Sequence, residues 1–475
     1  MGEELEPIGP ISESAASLLS SKLAFELNVL PLDHDGDTLT VGAANPEDQS
    51  LINDLSFYTG MKIITRSLPS DFILRELKIL YAERSDDNND ELIFADNLAA
   101  EYSNIEFVDK LVREAIKSKA SDIHLERYED IFRARYRIDG QLREVLNLSV
   151  SRSASIISRV KIMAGLDISE KRKPQDGRIK FKYESNNIDI RVSTLPTGFG
   201  EKIVLRILDK SNVNLDLEEL GFTAKQLDLL KNKIHLPYGM ILVTGPTGSG
   251  KTTTLYAALK HIHTVEKNIT TIEDPIEYNL SGINQCNVKP EIGFDFGNAL
   301  RAFLRQDPNI IMVGEIRDKT TADIAIRAAL TGHLVFSTLH TNDSISALTR
   351  LTDMGIEPFL VAASLKLIIA QRLVRKLCEC NKQNGIESNS HNIQSNYKLN
   401  GCSKCGYTGY KGRIALLELL EITEELEEMI SKKISISEIK KHLTESGFRN
   451  LQKEGIDKVK LGITSYEEVN RETLL

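Results

Sequence analysis

Nowhere does the chain hold an apolar run long enough to cross a bilayer. Its most apolar long segment, Phe359 to Val374, is shorter than the roughly 20 residues a spanning helix needs and carries Lys366 and Arg372, so it reads as a buried helix. A cleavable leader is missing as well. Met1 to Glu6 is acidic with no apolar core, and Glu6 spoils the myristoylation pattern, so the expectation is a cytosolic chain without its own anchor. Excess positive charge is also lacking: 59 Lys and Arg stand against 68 Asp and Glu, a net charge of -9. Broad binding to nucleic acid or an anionic membrane surface needs clustered cations, so no nucleic-acid partner is expected and a protein partner is favoured. Cysteine is scarce. Of five cysteines, four fall between Cys378 and Cys405, which in a reducing compartment points to metal binding more than to disulfides.

What is present is enough chain for several cores. With 475 residues, 41% hydrophobic and 27% charged, the sequence is an ordinary globular one that should divide into roughly three domains of 100 to 200 residues. Residues 1–82 read as a small α/β domain, with a helix over Ser14 to Leu27, a strand at Thr38 to Gly42, and helices near Pro46 to Thr59 and Ser70 to Tyr81. Residues 83–97 contain the acidic, aperiodic run Arg84 to Glu91 and read as a linker. An α+β domain over 98–220 opens with the amphipathic helix Ile105 to Lys119. It continues with strands at Ile131 to Ile138, Ile179 to Tyr183, Ile188 to Ser193 and Lys202 to Leu208, and Asp139-Gly140 makes a turn between two strands. Over 221–375, β-rich runs at Gly239 to Thr244, Asn268 to Glu273, Asn309 to Glu315 and Leu334 to Leu339 alternate with helical segments, the pattern of a doubly wound parallel sheet. A cysteine-bearing insert (376–412) and a helical tail (413–475), amphipathic over Leu416 to Ile430, complete the chain.

The chemistry centres on Gly245, Pro246, Thr247, Gly248, Ser249, Gly250, Lys251 and Thr252, a match to G-x-x-x-x-G-K-[ST] between the apolar strand Met240 to Val243 and the helix-like Thr253 to His261. Small glycines let backbone N–H groups converge on phosphate oxygens, and the following helix adds its positive end. Lys251 should reach the β- and γ-phosphates of ATP, Thr253 lies in the same first turn, and the Thr252 hydroxyl should bind Mg²⁺. Hydrolysis also needs carboxylates at neighbouring strand ends. Glu315, after the apolar run Asn309 to Gly314, and the acids of Thr270 to Glu277 fit that requirement.

Read together, these segments resemble the secretion ATPase superfamily that powers type II secretion and type IV pilus assembly. Thr270 to Glu277 is similar to its aspartate box, Leu304 to Asp318 to its Walker B segment, and Thr331 to Asn342 to its histidine box. Ser121 to Glu126, Arg137 to Gly140, Gln175 to Arg178 and Arg191 to Lys202 resemble signatures of the domain that precedes the motor. The resemblance implies a RecA-like P-loop NTPase core behind a PAS-like α+β domain, and an ATP hydrolase acting as a homo-hexamer. It implies docking of the N-terminal domain on inner-membrane secretion platform proteins, hence cytoplasmic location with peripheral membrane association through partners. It carries over Glu315 for the Mg²⁺-linked water, Glu273 as catalytic carboxylate, and His333 and His340 as sensors near the γ-phosphate. Arg191, Arg206, Arg301, Arg305 and Arg317 are carried over as cations that neutralise transition-state charge across an interface. A short N-terminal region favours type II secretion, with pilus extension or DNA uptake as the alternative and a nucleotide-regulated scaffold as a different class.

Cys378, Cys380, Cys402 and Cys405 resemble the tetracysteine module of the assembly members, which implies Zn²⁺ in a closed thiolate site. The first pair is Cys-x-Cys where the family usually has Cys-x-x-Cys. That spacing makes chelation by both thiols harder and leaves open a site using His391, or an insert with no metal. Cys286, apart from the others, reads as a small core residue.

Overall fold

The computed structural model describes residues 27–82, 103–208, 215–382 and 401–473, with Ala15, Leu18, Leu19, Leu23 and Ala24 described singly. Of the expected helix over Ser14 to Leu27, Ala15, Leu18, Leu23 and Ala24 are helical and most of the remainder lies outside the described residues. The expected linker at Arg84 to Glu91 and His391 lie outside them too. The chain divides into two compact units. One comprises Met1–Arg137, Leu142–Ser185 and Ile190–Ile207, and the other Ile138–Gln141, Asn186–Asp189 and Leu208–Leu475.

In the first unit, β1 (Val29–Asp35), β2 (Thr38–Ala43) and β3 (Lys62–Ser67) form a three-stranded sheet in that order, with α1 (Gln49–Thr59) and α2 (Ser70–Ala82) supplying Leu55, Ile73 and Leu77 to its core. Two of these strands escape a periodicity reading for identifiable reasons. β1 is interrupted by Pro31, and β3 is mostly exposed, so it shows no buried face.

Further along, α3 (Asn104–Lys117) starts at a capping box of Ser103 and Glu106 and buries Phe107, Val108, Leu111, Val112 and Ala115 on one stripe. It accompanies β4 (Asp122–Arg127), β5 (Phe132–Ile138), β6 (Gln141–Leu148), α4 (Ser153–Ala164), β7 (Gln175–Tyr183), β8 (Asn186–Thr197) and β9 (Gly200–Leu208). The sheet order is β6-β5-β4-β9-β8-β7. Asp139 and Gly140 both have positive φ, at 49° and 87°, which is what a two-residue hairpin turn between β5 and β6 requires.

The second unit holds α5 (Ala224–Ile234), β10 (Gly239–Thr244), α6 (Lys251–Ile262), β11 (Ile269–Glu273), β12 (Asn284–Asn287), α7 (Phe296–Phe303), β13 (Ile310–Val313), α8 (Lys319–Leu330), β14 (Leu334–Leu339), α9 (Ser344–Asp353), α10 (Pro358–Ser364), β15 (Leu365–Leu377) and β16 (Tyr410–Glu421). It ends in α11 (Glu424–Ser431), α12 (Ile436–Glu445), α13 (Leu451–Lys460) and α14 (Tyr466–Thr473). Its seven-stranded sheet runs β12-β11-β13-β14-β10-β15-β16, every pair parallel except β15 with β16. Apolar clusters cover both faces, so β10, β13 and β14 are buried along their whole length, as parallel strands between two helical layers must be.

Two expectations are corrected here. Phe359 to Val374 is not one buried helix: α10 ends at Ser364 and β15 follows, lying between β10 and β16. Leu416 to Ile430 is likewise not one helix, because β16 runs to Glu421 and α11 begins only after the Thr423 cap. β15 is buried on two faces, as β16 is over residues 415–420, and such a stretch carries no one-face period by which to tell strand from helix. Among the described residues no helix is long and apolar enough to cross a membrane.

Candidate functional site

The centre of the parallel sheet places the phosphate loop. β10 lies between β14 and β15, and residues 245–250 leave its C-terminal end to start α6 at Lys251. Ligands of doubly wound sheets bind beyond this carboxyl edge. Thr244 ties the edge together, bonding the Leu339 carbonyl at 3.1 Å and the Thr341 hydroxyl at 2.7 Å.

Gly248 and Gly250 take φ of 81° and 88°, left-handed values that a side chain resists. A Cβ on Gly250 would lie 2.8 Å from Gln371 Nε2. Lys251 is buried; its Nζ donates to the carbonyls of Gly245 at 2.8 Å and Pro246 at 3.0 Å. Burial pushes its ammonium down to about 8, despite the opposing charge of Glu315. The Ser249 hydroxyl is 3% exposed and finds no partner among the described residues, an unsatisfied buried polar atom of the kind a phosphate oxygen satisfies. Loop amides, helix start, buried ammonium and this hydroxyl fit a nucleotide's terminal phosphates, and Thr252, second residue of α6, supplies the hydroxyl fitted to Mg²⁺.

Glu315 follows β13 on the far side of β14. The Ile316 amide bonds the Thr338 carbonyl at 3.0 Å, which fixes Glu315 at the same carboxyl edge. Its Oε2 meets His340 Nε2 at 3.2 Å and its Oε1 accepts from Arg317 at 2.5 Å, while Arg317 also lies 3.4 Å from Asp274. Burial raises the Glu315 pKa, but the hydrogen bond and charge of Arg317, together with His340, outweigh it and hold the group below the ordinary carboxylate range. Three predicted residues therefore meet, Glu315 touching Arg317 and His340, and Lys251 lies near enough to feel the Glu315 charge.

Glu273 ends β11 and is 3% exposed. It accepts from the Tyr256 hydroxyl, from Thr271 at 2.6 Å and from Gln285 at 3.1 Å. These donors hold the carboxylate in one place, and burial together with this hydrogen bond raises the Tyr256 pKa.

Other predicted residues stand elsewhere. His333 is a correction. It precedes β14, its carbonyl accepts from Gly239 at the start of β10, and its Nδ1 faces the Ala328 carbonyl at 3.1 Å. The six residues of β14 lie between it and His340, seven steps or about 23 Å at strand rise, so it lies at the opposite edge of the sheet and is no γ-phosphate sensor for this loop. Arg301, on α7, bonds Asn298 at 3.0 Å, and Arg305 bonds the Arg301 carbonyl at 3.0 Å. Both are exposed and neither reaches Glu315. Arg191 lies on β8 and Arg206 on β9, in the first unit, where Arg206 Nε bonds Asp122 at 3.0 Å.

The four clustered thiols come together in spite of the short first spacing: one sulfur from each of Cys378, Cys380, Cys402 and Cys405 lies within 4.8 Å of the others. A tetrahedron of Zn–S bonds of about 2.3 Å sets sulfurs about 3.8 Å apart, and Cys378 and Cys402 stand at 3.9 Å, so these donors fit zinc. Burial opposes ionisation of Cys405, but backbone amides of Cys402 and Gly409, at 3.1 and 3.3 Å, bring its thiol down to about 6, the thiolate a metal requires. Cys286 is partly buried against the sheet core, as expected.

A parallel sheet with a phosphate loop leaving its central strand, and an acid at the same edge, defines a P-loop nucleotide hydrolase. Within that class, the chain belongs to the Type II/IV secretion system protein family, matched over residues 98–471, and residues 6–87 match the MshEN domain. The type IV pilus assembly ATPase PilB of Myxococcus xanthus is 44% identical over 486 residues, covering 95% of this chain and 85% of that protein. The type II secretion system ATPase E of Vibrio cholerae is 47% identical over 378 residues, covering 78% of this chain and 75% of that one. Among solved structures, the pilus retraction motor PilT with bound ADP matches with a TM-score of 0.53 at 28% identity, over 77% of this chain and 96% of that chain. The Legionella pneumophila ATPase DotB matches in fold with a TM-score of 0.59 at 22% identity, over 78% of this chain and 96% of that chain. The protein is an ATP hydrolase of this family.

Two residues at the loop were given no role at it in the sequence. Gln371 and Arg372, on β15, sit directly against it. Their signal was the polar pair inside the apolar run Leu365 to Val374; only Arg372, together with Lys366, was read, and then as an argument against a membrane span.

Proposed function

We propose that this protein is a Mg²⁺-dependent ATPase motor that assembles pilin-like filaments at an inner-membrane platform. The observation that carries the reading is the shared sheet edge on which the loop around Lys251 and the acid Glu315 meet, in a chain of the assembly ATPase family. The loop amides and Lys251 hold the β- and γ-phosphates. The Thr252 hydroxyl would hold Mg²⁺, which would supply charge neutralisation there. Glu315, steered by Arg317 and His340, orients the attacking water, and Glu273, fixed by Tyr256, Thr271 and Gln285, is the carboxylate that takes the proton. Arg191, Arg206, Arg301 and Arg305 neutralise transition-state charge across interfaces of a homo-hexamer.

The proposed division is 1–82 for platform docking, 83–97 as linker, 98–220 as a PAS-like arginine domain, 221–375 as RecA-like motor, 376–412 as a zinc insert held by its four cysteines, and 413–475 as the C-terminal helical part. The motor works in the cytoplasm and reaches the membrane through partners. Of the two systems, the reach of the alignments favours pilus extension. The pilus relatives align over 95–96% of the chain and the type II relatives over 78–81%. Type II secretion, preferred on the sequence alone, is the second reading, supported by 47% identity across the shared part. Expression in hosts lacking either the pilus ATPase or the type II ATPase tests the order: restored pili without restored export supports the first reading, and the converse selects the second. ATP turnover surviving in both Lys251→Ala and Glu315→Gln removes the motor reading altogether.

A further inference from the structure

Gln371 is 3% exposed and uses both ends of its carboxamide. Nε2 donates to the Ser249 carbonyl at 2.8 Å, and Oε1 accepts from the Thr254 hydroxyl at 2.7 Å. The phosphate loop rests on this residue: a Cβ on Gly250 would crowd its amide nitrogen at 2.8 Å, and one on Gly245 would overlap its carbonyl oxygen.

A trans peptide is planar, with its C=O and the next N–H pointing opposite ways. A grip on the Ser249 carbonyl from beneath therefore turns the Gly250 N–H upward, away from β15 and toward the mouth of the loop. The second grip, on Thr254 in the first turn of α6, fixes the helix start that carries Lys251 and Thr252. Preorganised donors raise binding and rate because no reorganisation is needed when charge arrives.

We propose that Gln371 is a positioning residue of ATP hydrolysis, aiming the Gly250 amide and the start of α6 at the phosphates. The proposal rests on the reading that this loop binds ATP. Arg372, the next residue, continues the link. Its guanidinium donates to the Asn342 carbonyl at 3.0 Å and, on α14, to the Glu472 carbonyl at 3.2 Å, so the strand under the loop is itself braced.

The test uses the full chain, with steady-state ATP hydrolysis and binding of a fluorescent Mg-ADP analogue. Gln371→Leu should raise KM for Mg-ATP about tenfold or more, lower kcat, and weaken Mg-ADP by a similar factor, while the nucleotide-free protein unfolds within a few degrees of wild type. Thr254→Val should weaken binding in the wild-type background and change it less than twofold in Gln371→Leu, because the two act through one contact. Gln371→Glu keeps the volume and the acceptor for Thr254 but cannot donate to Ser249, so it should bind no better than Gln371→Leu. A folded Gln371→Leu with wild-type KM and kcat overturns the proposal. So does wild-type affinity in Gln371→Glu, which decides the matter should the leucine variant not fold. In either case a wild type that binds and hydrolyses Mg-ATP leaves the ATPase reading standing, whereas a wild type that binds no nucleotide sinks that reading instead.

Discussion

Replacing Lys251 by methionine should abolish nucleotide binding and, in the same molecule, stabilise the nucleotide-free fold. The ammonium is 9% exposed, and burial first, with the nearby Arg372 charge adding to it, pushes it down to about 8 from 10.5 against the pull of Glu315. At about 1.4 kcal/mol per tenfold change in proton affinity, the charged group costs the folded state about 3 kcal/mol at pH 7. Methionine keeps the apolar stem and removes the charge. It also leaves the carbonyls of Gly245 and Pro246 without their donor, a loss of up to about 1 kcal/mol each. The balance is a gain of about 1–2 kcal/mol, or roughly 2–8 °C in the unfolding midpoint of a unit of this size.

The sign with pH follows from which state holds the proton more weakly. Below about 8 both states are protonated and the full cost is present. Between about 8 and 10.5 the folded state releases the proton first, so wild type gains stability with rising pH and the gap to the variant narrows. Nucleotide reverses the order, since ATP at a hundred times its Kd adds about 2.7 kcal/mol to wild type and nothing to a variant that cannot bind it. Thermal unfolding of both proteins at pH 7 and pH 9.5, with and without Mg-ATP, measures all of this. A variant no more stable than wild type at pH 7, or a gap that widens as pH rises, refutes the reasoning.

Three further expectations follow from the same geometry. Glu315→Gln and Glu273→Gln should each lower turnover by about 10²- to 10⁴-fold while Mg-ADP affinity stays within a few-fold of wild type, and a phosphate-release assay showing normal rates in either variant removes that residue from the chemistry. Gly250→Ala places a Cβ 2.8 Å from Gln371 Nε2 at φ 88°, so it should cost about 1–2 kcal/mol of stability from the backbone alone and weaken Mg-ATP binding; unchanged melting and affinity would contradict the loop geometry. Metal analysis should find about one zinc per chain, lost in Cys405→Ser, with a strong chelator lowering the unfolding temperature of wild type, and a folded, active preparation free of zinc argues against the thiolate site.

The sequence by itself determined the phosphate loop and the parallel strands around it, because each rests on local physics. A Gly-rich turn between an apolar run and a helix can do little else, and β10 and β14 fall on the segments read from their residues. The family was equally legible, since its signatures are contiguous strings. Only the tertiary structure decided what depends on residues far apart in the chain. That β15 is a strand follows from its burial between β10 and β16, which a one-dimensional period cannot show. That His340 meets Glu315 while His333 does not follows from strand direction, because the two histidines flank β14 and emerge at opposite edges of the sheet. The four sulfurs meet because the antiparallel pairing of β15 with β16 brings Leu377 opposite Tyr410 and returns the second cysteine pair to the first, a closure that spacing alone made doubtful. Gln371 lies 121 positions beyond Gly250 in the chain and acquires its place beneath the loop only through the parallel register of β10 with β15.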